Sequence, residues 1–485
     1  MSPARRKRID RTVAAVIAVV VVVAGVLIYL SSDIRATESV LGPATPAPPR
    51  PDTVPTALTQ AWSLPTDPEL GAVASPYGVV ITTDATTITA HDAVTGDVRW
   101  SYGRTDEPLC AVGSGDTDAP GVQVRGKVRG VMAVSMKNGY CSQVMLLDPD
   151  TGERHYDRTS PNQPGGSLAF GGPYAGWLGS SLVELWRDDL VRTIQYGDIP
   201  APPKPNVAHT GCLFTDIALA DEQFATIEHC GDQAGRPPSN ARVVLNWATP
   251  DSAPNKPDDQ DVFKHDARAD IDTGSPAARI VGITADRVAV LVSAPEPAVV
   301  VYDTSGAEKS RTAVDIPADA IVAADQLAPG GGTAPTPAVR DGVMRYSLIG
   351  DRLLGVAGQP AQVAAPTTST SISSLADLQP PTISVLASST PEAAPPAETV
   401  QVKDLAVRWT KDGALGLPAV LNEQLLMPVD GGLSVFVADN GNPGIVPAAI
   451  PVDRAGYSGR VDAAAVGSMI VETRGDRVVG LAGPG

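Results

Sequence analysis

Two hydrophobic patterns divide the chain. From Thr12 to Leu30, nineteen residues carry no charge and are apolar on every side. Beyond them, short β-branched runs alternate between apolar and polar positions. A helix of that first length is roughly 28 Å long, close to the hydrocarbon thickness of a bilayer. It has no polar face, as a lipid-facing helix requires. The later runs have period two: residues 78–83, 87–92, 131–136, 143–148, 287–293 and 298–303. Each is bounded by turn residues and predicts a strand. No amphipathic stretch of twelve or more residues follows the first helix, so the rest of the chain is expected to be all-β.

The flanks of the apolar run set its expected orientation. Arg5, Arg6, Lys7, Arg8 and Arg11 precede it, and Asp33 and Glu38 follow. The positive-inside rule then keeps the N-terminus cytoplasmic and places the C-terminal part across the membrane. A cleavable signal would be shorter and end in a small-x-small site, which Ser31–Ala36 lacks. The expected layout is a basic tail (1–11), a transmembrane helix (12–30), a Pro-rich stalk (31–56) and an extracytoplasmic domain (57–485). The stalk centres on Gly42–Pro51, where proline density favours an extended, semi-rigid spacer. A low-complexity insertion is expected at about 358–398, with loops near 199–206, 231–240, 248–278 and 328–337.

The strands recur in a fixed order. An apolar strand, a second strand and the turn Asp92-Ala-Val-Thr95-Gly96 lead to Trp100. The unit returns at Asp148-Pro-Asp-Thr151-Gly152 with Tyr156 in the aromatic place, and in degenerate form at Asp303–Gly306 and Leu425–Gly441. Asp and Thr side chains can bond turn amides, and Gly takes positive φ, so the motif predicts a tight reversal between a third and a fourth strand. Such units bury their faces only by stacking on neighbours. The pattern resembles the repeat of quinoprotein-type (PQQ-like) β-propellers. The resemblance implies seven or eight blades after one transmembrane helix. Ala57–Leu64 would then supply the outer strand of a last blade whose inner strands lie in Ala463–Leu481. Anchor, stalk and propeller together are similar to the uncharacterised, membrane-anchored Ala/Val-rich propeller proteins of mycobacteria and related actinobacteria.

The chemistry is sparse. Quinone-dependent dehydrogenases hold their cofactor with an adjacent Cys-Cys pair and a calcium site of Glu, Asn and Asp; neither is apparent in the sequence. No cofactor or metal is expected. Cys110, Cys141, Cys212 and Cys230 allow three pairings, and the repeat layout favours Cys110–Cys141 and Cys212–Cys230. The competing reading is a zinc site from His209, Cys212, His229 and Cys230, but adjacent His229 and Cys230 on a strand point to opposite faces. His91, His155 and His265 are isolated. Gly121–Lys127 has phosphate-loop spacing, but Val128 replaces the Ser or Thr that would hold magnesium. The acid pairs Asp188-Asp189, Asp221-Glu222 and Asp258-Asp259 read as solvated turns.

Charge narrows the partners. Net charge is −17 over 485 residues; residues 1–11 hold five basic side chains and one acid, which leaves −21 for the remainder. That surface disfavours nucleic acid. The expected role is a non-enzymatic protein-interaction scaffold in the cell envelope. The alternatives are a ligand-binding sensor using the axial funnel, or a divergent quinoprotein or hydrolase.

Overall fold

The computed structural model describes residues 3–30, 32–46, 48–115, 130–200, 209–220, 223–231, 240–249, 267–326, 332–333, 338–340, 344–360, 402–438, 440–444 and 449–483. Helix α1 (Pro3–Leu30) contains the apolar run, and its segment Asp10–Leu30 is long and apolar enough to cross a bilayer. A single turn, α2 (Asp33–Ala36), follows. Among the described residues, every regular element after it is a strand, apart from α3 (Ala318–Gln326).

Among the described residues eight sheets form, seven built on four consecutive antiparallel strands and the eighth on three consecutive C-terminal strands and one N-terminal strand. Blade 1 spans 73–104, blade 2 109–159, blade 3 167–197, blade 4 212–272, blade 5 278–313, blade 6 338–411, blade 7 419–451 and blade 8 461–482. Eight hydrophobic clusters separate them, and each joins one blade to the next. The last of these packs Trp62, Val466, Val471 and Val478 against Val80 and Ala93, joining blade 8 to blade 1 and closing the ring. Of the two blade counts expected, eight is correct. The core is Val, Ile, Leu and Ala with a few aromatics, because the sheets meet face to face and need flat, branched side chains.

Closure uses the N-terminal strand Thr59–Pro65, which pairs antiparallel with Arg477–Ala482 as the fourth strand of blade 8. No open sheet edge remains between the two ends of the domain. In each blade the first and third strands run one way and the second and fourth the other. The first–second and third–fourth turns therefore share one face of the ring, the turn face. The blade-to-blade links share the opposite, connection face.

Segment 31–56 is laid onto the ring. Thr37–Val40 pairs antiparallel with Ser101–Arg104 and becomes a fifth strand outside blade 1. Downstream, Gly42 N donates to Thr151 O (3.0 Å) and Thr45 N to the Asp150 carboxylate (3.0 Å). The Pro48 ring sits where a Cβ on Gly78 or Gly467 would clash, and Asn422 Nδ2 donates to Pro51 O at 2.7 Å. Val54 is buried between blades 7 and 8. Proline lacks a donor, but its ring fits against glycine turns and its carbonyls still accept, so a Pro-rich segment straps the turn face instead of standing away from it.

Two loop expectations also change. Within 248–278, Ala267–Asp272 is the outer strand of blade 4, and within 328–337, Gly332–Thr333 pairs parallel with Ser167–Leu168 of blade 3. Both are too short or too charged to show periodicity. The phosphate-loop-like stretch, Asp221-Glu222, Asp258-Asp259, His265 and residues 361–398 of the insertion lie outside the described residues.

Trp62 tests the closure. Its indole is buried, so Trp62→Ala should cost about 3–5 kcal/mol, as for large-to-small core changes. The exposed Val98→Ala should stay within about 0.5 kcal/mol. Urea unfolding of the two variants measures the difference.

Candidate functional site

The repeat turns form the first set of residues to place. Asp92 Oδ1 accepts from Val94 N and Thr95 N (2.9 and 3.0 Å), and Gly96 closes the turn at φ +80°. Asp148 repeats this with Asp150 N and Thr151 N, and Gly152 has φ +74°. Each glycine receives an indole from the preceding blade. Trp62 Nε1 donates to Ala93 O (3.0 Å), Trp100 Nε1 to Pro149 O (3.0 Å), and Trp409 Nε1 to Ala438 O (2.8 Å). A Cβ on Gly96, Gly152 or Gly441 would strike those rings. Across the strand each indole faces a small residue, Gly480, Ala90 or Gly355. The motif therefore fastens one blade to the next. Tyr156 does not take that place: it is exposed on the outer strand of blade 2.

Buried carboxylates form a second set. Glu184 is fully buried and accepts from Ser160 Oγ (2.6 Å), Trp186 Nε1 (2.7 Å), Gln195 Nε2 (2.7 Å) and Arg158 Nε (3.2 Å). Glu472 accepts from Arg454 Nε and Nη2 (3.0 and 2.7 Å) and Arg474 Nε (2.8 Å), while Arg454 Nη1 reaches back to Val429 O of blade 7. Asp216 accepts from Ile217 N, Ile280 N and Arg279 Nε (2.9, 2.8 and 3.1 Å). Burial pushes its pKa up despite Arg279. These acids bridge adjacent blades with fixed donors, an arrangement suited to registry.

Both cysteine pairs are disulfides, Cys110–Cys141 and Cys212–Cys230, in the pairing the repeat layout favoured. Cys212 and Cys230 face each other in register across the first two strands of blade 4. Around them the competing zinc reading changes its membership. His229 turns away and pairs with Asp325 of α3 at 2.9 Å. His209, in the left-handed region at φ +62°, puts Nδ1 2.5 Å from Glu228 Oε2. His209, Cys212, Glu228 and Cys230 bring one ligand atom each within 4.8 Å of one another. Sequence reasoning missed Glu228, whose only signal is its place two residues before Cys230, on the same face of the strand.

Two further features shape the connection face. A cleft of about 440 Å³ runs between blades 8 and 1, lined by Thr66, Thr82, Thr83, Thr89 and His91 among others. Its hydroxyls bond one another and the backbone, and His91 lies between Thr82 Oγ1 (3.0 Å) and Gly96 O (3.1 Å). Burial lowers the His91 pKa, against the Gly96 hydrogen bond. The second feature is the link from blade 5 to blade 6. Asp325 in α3 accepts from Thr215 Oγ1 of the inner strand of blade 4 (2.8 Å), Ile321 packs between blades 5 and 6, and Gly332–Thr333 pairs with the inner strand of blade 3.

No protein-family model and no curated protein matches the chain. Among solved structures it is similar to BamB from Moraxella catarrhalis, with 11% identity over 88% of this chain and 100% of that one and a TM-score of 0.40. It is similar to the computationally designed Ika8 protein at 11% identity, 91% and 100% coverage and a TM-score of 0.40. The N-terminal domain of Nup159 gives 8% identity, 91% and 99% coverage and a TM-score of 0.36. No membership of the mycobacterial family, or of any other, is shown by these likenesses.

Two expected outcomes follow from the ionic groups. Glu472→Ala strands two buried guanidinium groups and should cost about 3–5 kcal/mol in urea unfolding. For His209, burial lowers the pKa, but the hydrogen bond and charge of Glu228 outweigh it, and the net shift is upward from 6.5. The pair's stabilisation is complete below pH 6.5 and is lost as pH rises through the raised value. The melting-temperature gap between the wild-type protein and His209→Gln should therefore narrow as buffers are stepped from pH 6 to pH 9.

Proposed function

We propose that this chain is a non-enzymatic interaction scaffold of the cell envelope, anchored by α1 with its N-terminus cytoplasmic and its propeller extracytoplasmic. The observation that carries the reading is the short, pinned tether. Only six residues, 31–36, separate Leu30 at the end of the apolar helix from Thr37, where the strand fastened to blade 1 begins. Six residues reach at most roughly 20 Å. A ring so attached is held at the membrane surface with one rim leading, as suits a docking platform for another envelope protein.

Other features agree. Two disulfides suit an oxidising compartment. The basic residues before the apolar helix favour a cytoplasmic tail. A net charge of −21 outside residues 1–11 argues against nucleic acid as partner. The buried carboxylates Glu184, Glu472 and Asp216 are committed to bonds between blades.

In-cell cross-linking of the tagged full-length chain, followed by mass spectrometry, tests the proposal. The control keeps the anchor and lacks the propeller. One or two envelope proteins captured only with the propeller present are expected. Identical captures from both forms would overturn the scaffold reading.

A further inference from the structure

We propose that the Cys212–Cys230 pair is one state of a two-state site, and that its dithiol form binds a zinc ion together with His209 and Glu228. The inference does not depend on the scaffold reading. Among the described residues this is the only group of three or more His, Cys, Asp and Glu whose ligand atoms lie so close together.

The donor set is arranged by the strands themselves. Glu228 and Cys230 share one face of the second strand of blade 4, and Cys212 stands opposite Cys230 on the first. His209 lies three residues before Cys212, giving an H-x-x-C half to set against the E-x-C half. Cys230 Sγ is 3.8 Å from Glu228 Oε2, and His209 Nδ1 is 2.5 Å from the same oxygen. Neighbouring donors in a tetrahedral zinc site stand roughly 3.3–3.8 Å apart, given zinc–sulfur and zinc–nitrogen bonds of about 2.3 and 2.0 Å. Small shifts of side chains would reach that spacing.

The outer contacts favour the same use. Glu228 Oε1 already accepts from Thr226 Oγ1 (2.7 Å) and Tyr196 Oη (3.1 Å), which fixes the carboxylate and leaves Oε2 directed at His209. Such second contacts orient metal-binding carboxylates. The site is built into the protein interior: Glu228 is fully buried, Cys212 is buried, and His209 and Cys230 are partly exposed, which leaves an approach from solvent.

The exchange balances with a dithiol reductant as co-reactant. The reductant is oxidised to its disulfide and gives two electrons and two protons to Cys212 and Cys230. Zinc then displaces those two thiol protons, and both thiolates, neutral His209 and the Glu228 carboxylate complete four ligands.

The test uses the detergent-solubilised full chain carrying Cys110→Ala and Cys141→Ala, so that one cysteine pair remains. It is reduced with a dithiol, freed of reductant without air, and titrated with zinc against a chromophoric chelator. One zinc per chain is expected after reduction and none before, with circular dichroism unchanged. Cobalt in place of zinc should give thiolate charge-transfer absorption. Glu228→Gln should weaken zinc binding at least tenfold, and Cys212→Ser with Cys230→Ser should abolish it. Loss of the fold on reducing this pair would overturn the proposal. So would a reduced, folded chain that binds no zinc, or zinc binding that survives the double serine change. If the parent double-alanine variant does not fold, the wild-type chain is used with mass-spectrometric mapping of the reduced pair, and the same readouts decide.

Discussion

The structure depends on the tryptophan that each docking blade places beneath the glycine turn of its neighbour. Trp62 does this at the most demanding point. It sits on Thr59–Pro65, so the strand that completes blade 8 also carries the indole that fastens blade 8 to the Ala93–Gly96 turn of blade 1. Backbone pairing and an aromatic dock thus close one ring through one seven-residue segment. The same dock joins blade 1 to 2 through Trp100 and blade 6 to 7 through Trp409. Where it is missing, smaller groups fill the place: Ile271 and Ala269 of blade 4 pack against Gly306 of blade 5. A propeller blade buries its faces only against other blades, so the strength of these joints sets the stability of the whole.

Much of this was legible because the motif is a local device with a physical cause. Asp92, Thr95 and Gly96 are required by one turn, and Trp100 by the next blade's turn, so the residues recur at fixed spacing. The closing strand was legible through Trp62 and its alternation. The degenerate copy near Gly441 was harder. Its structural counterpart of Asp92 is Val437, whose carbonyl still accepts from Gly441 N. The backbone bond survives there without the side-chain signal. Charged outer strands such as Glu308–Ala313 and Ala267–Asp272 carry weak hydrophobic patterns because one or both faces meet water. The Pro-rich segment misled for a related reason: composition describes its stiffness, whereas its seat on Gly78 and Gly467 depends on distant parts of the chain.

The candidate site was only half visible. Cys212 and Cys230 are conspicuous in a chain with four cysteines, and H-x-x-C points to His209. Strand alternation argued that His229 could not join Cys230, and the structure gives His229 a different task in holding α3 through Asp325. Glu228 carried no mark of its own, because a lone acid on a strand gains meaning only from what lies across the sheet. The same holds for Glu184 and Glu472. Each is a buried charge whose partners come from separate segments, and no window of sequence displays the set.

The pinned tether ties fold to function. On the proposed anchoring through α1, it gives a generic ring a defined rim towards the membrane. Single-particle imaging of the full-length chain in lipid nanodiscs tests this most directly. The account predicts one dominant arrangement: an eight-bladed ring lying within about 20 Å of the bilayer surface with the outer edge of blade 1 nearest the anchor. A ring found at widely varying distances and tilts, joined by a free stalk, would contradict it.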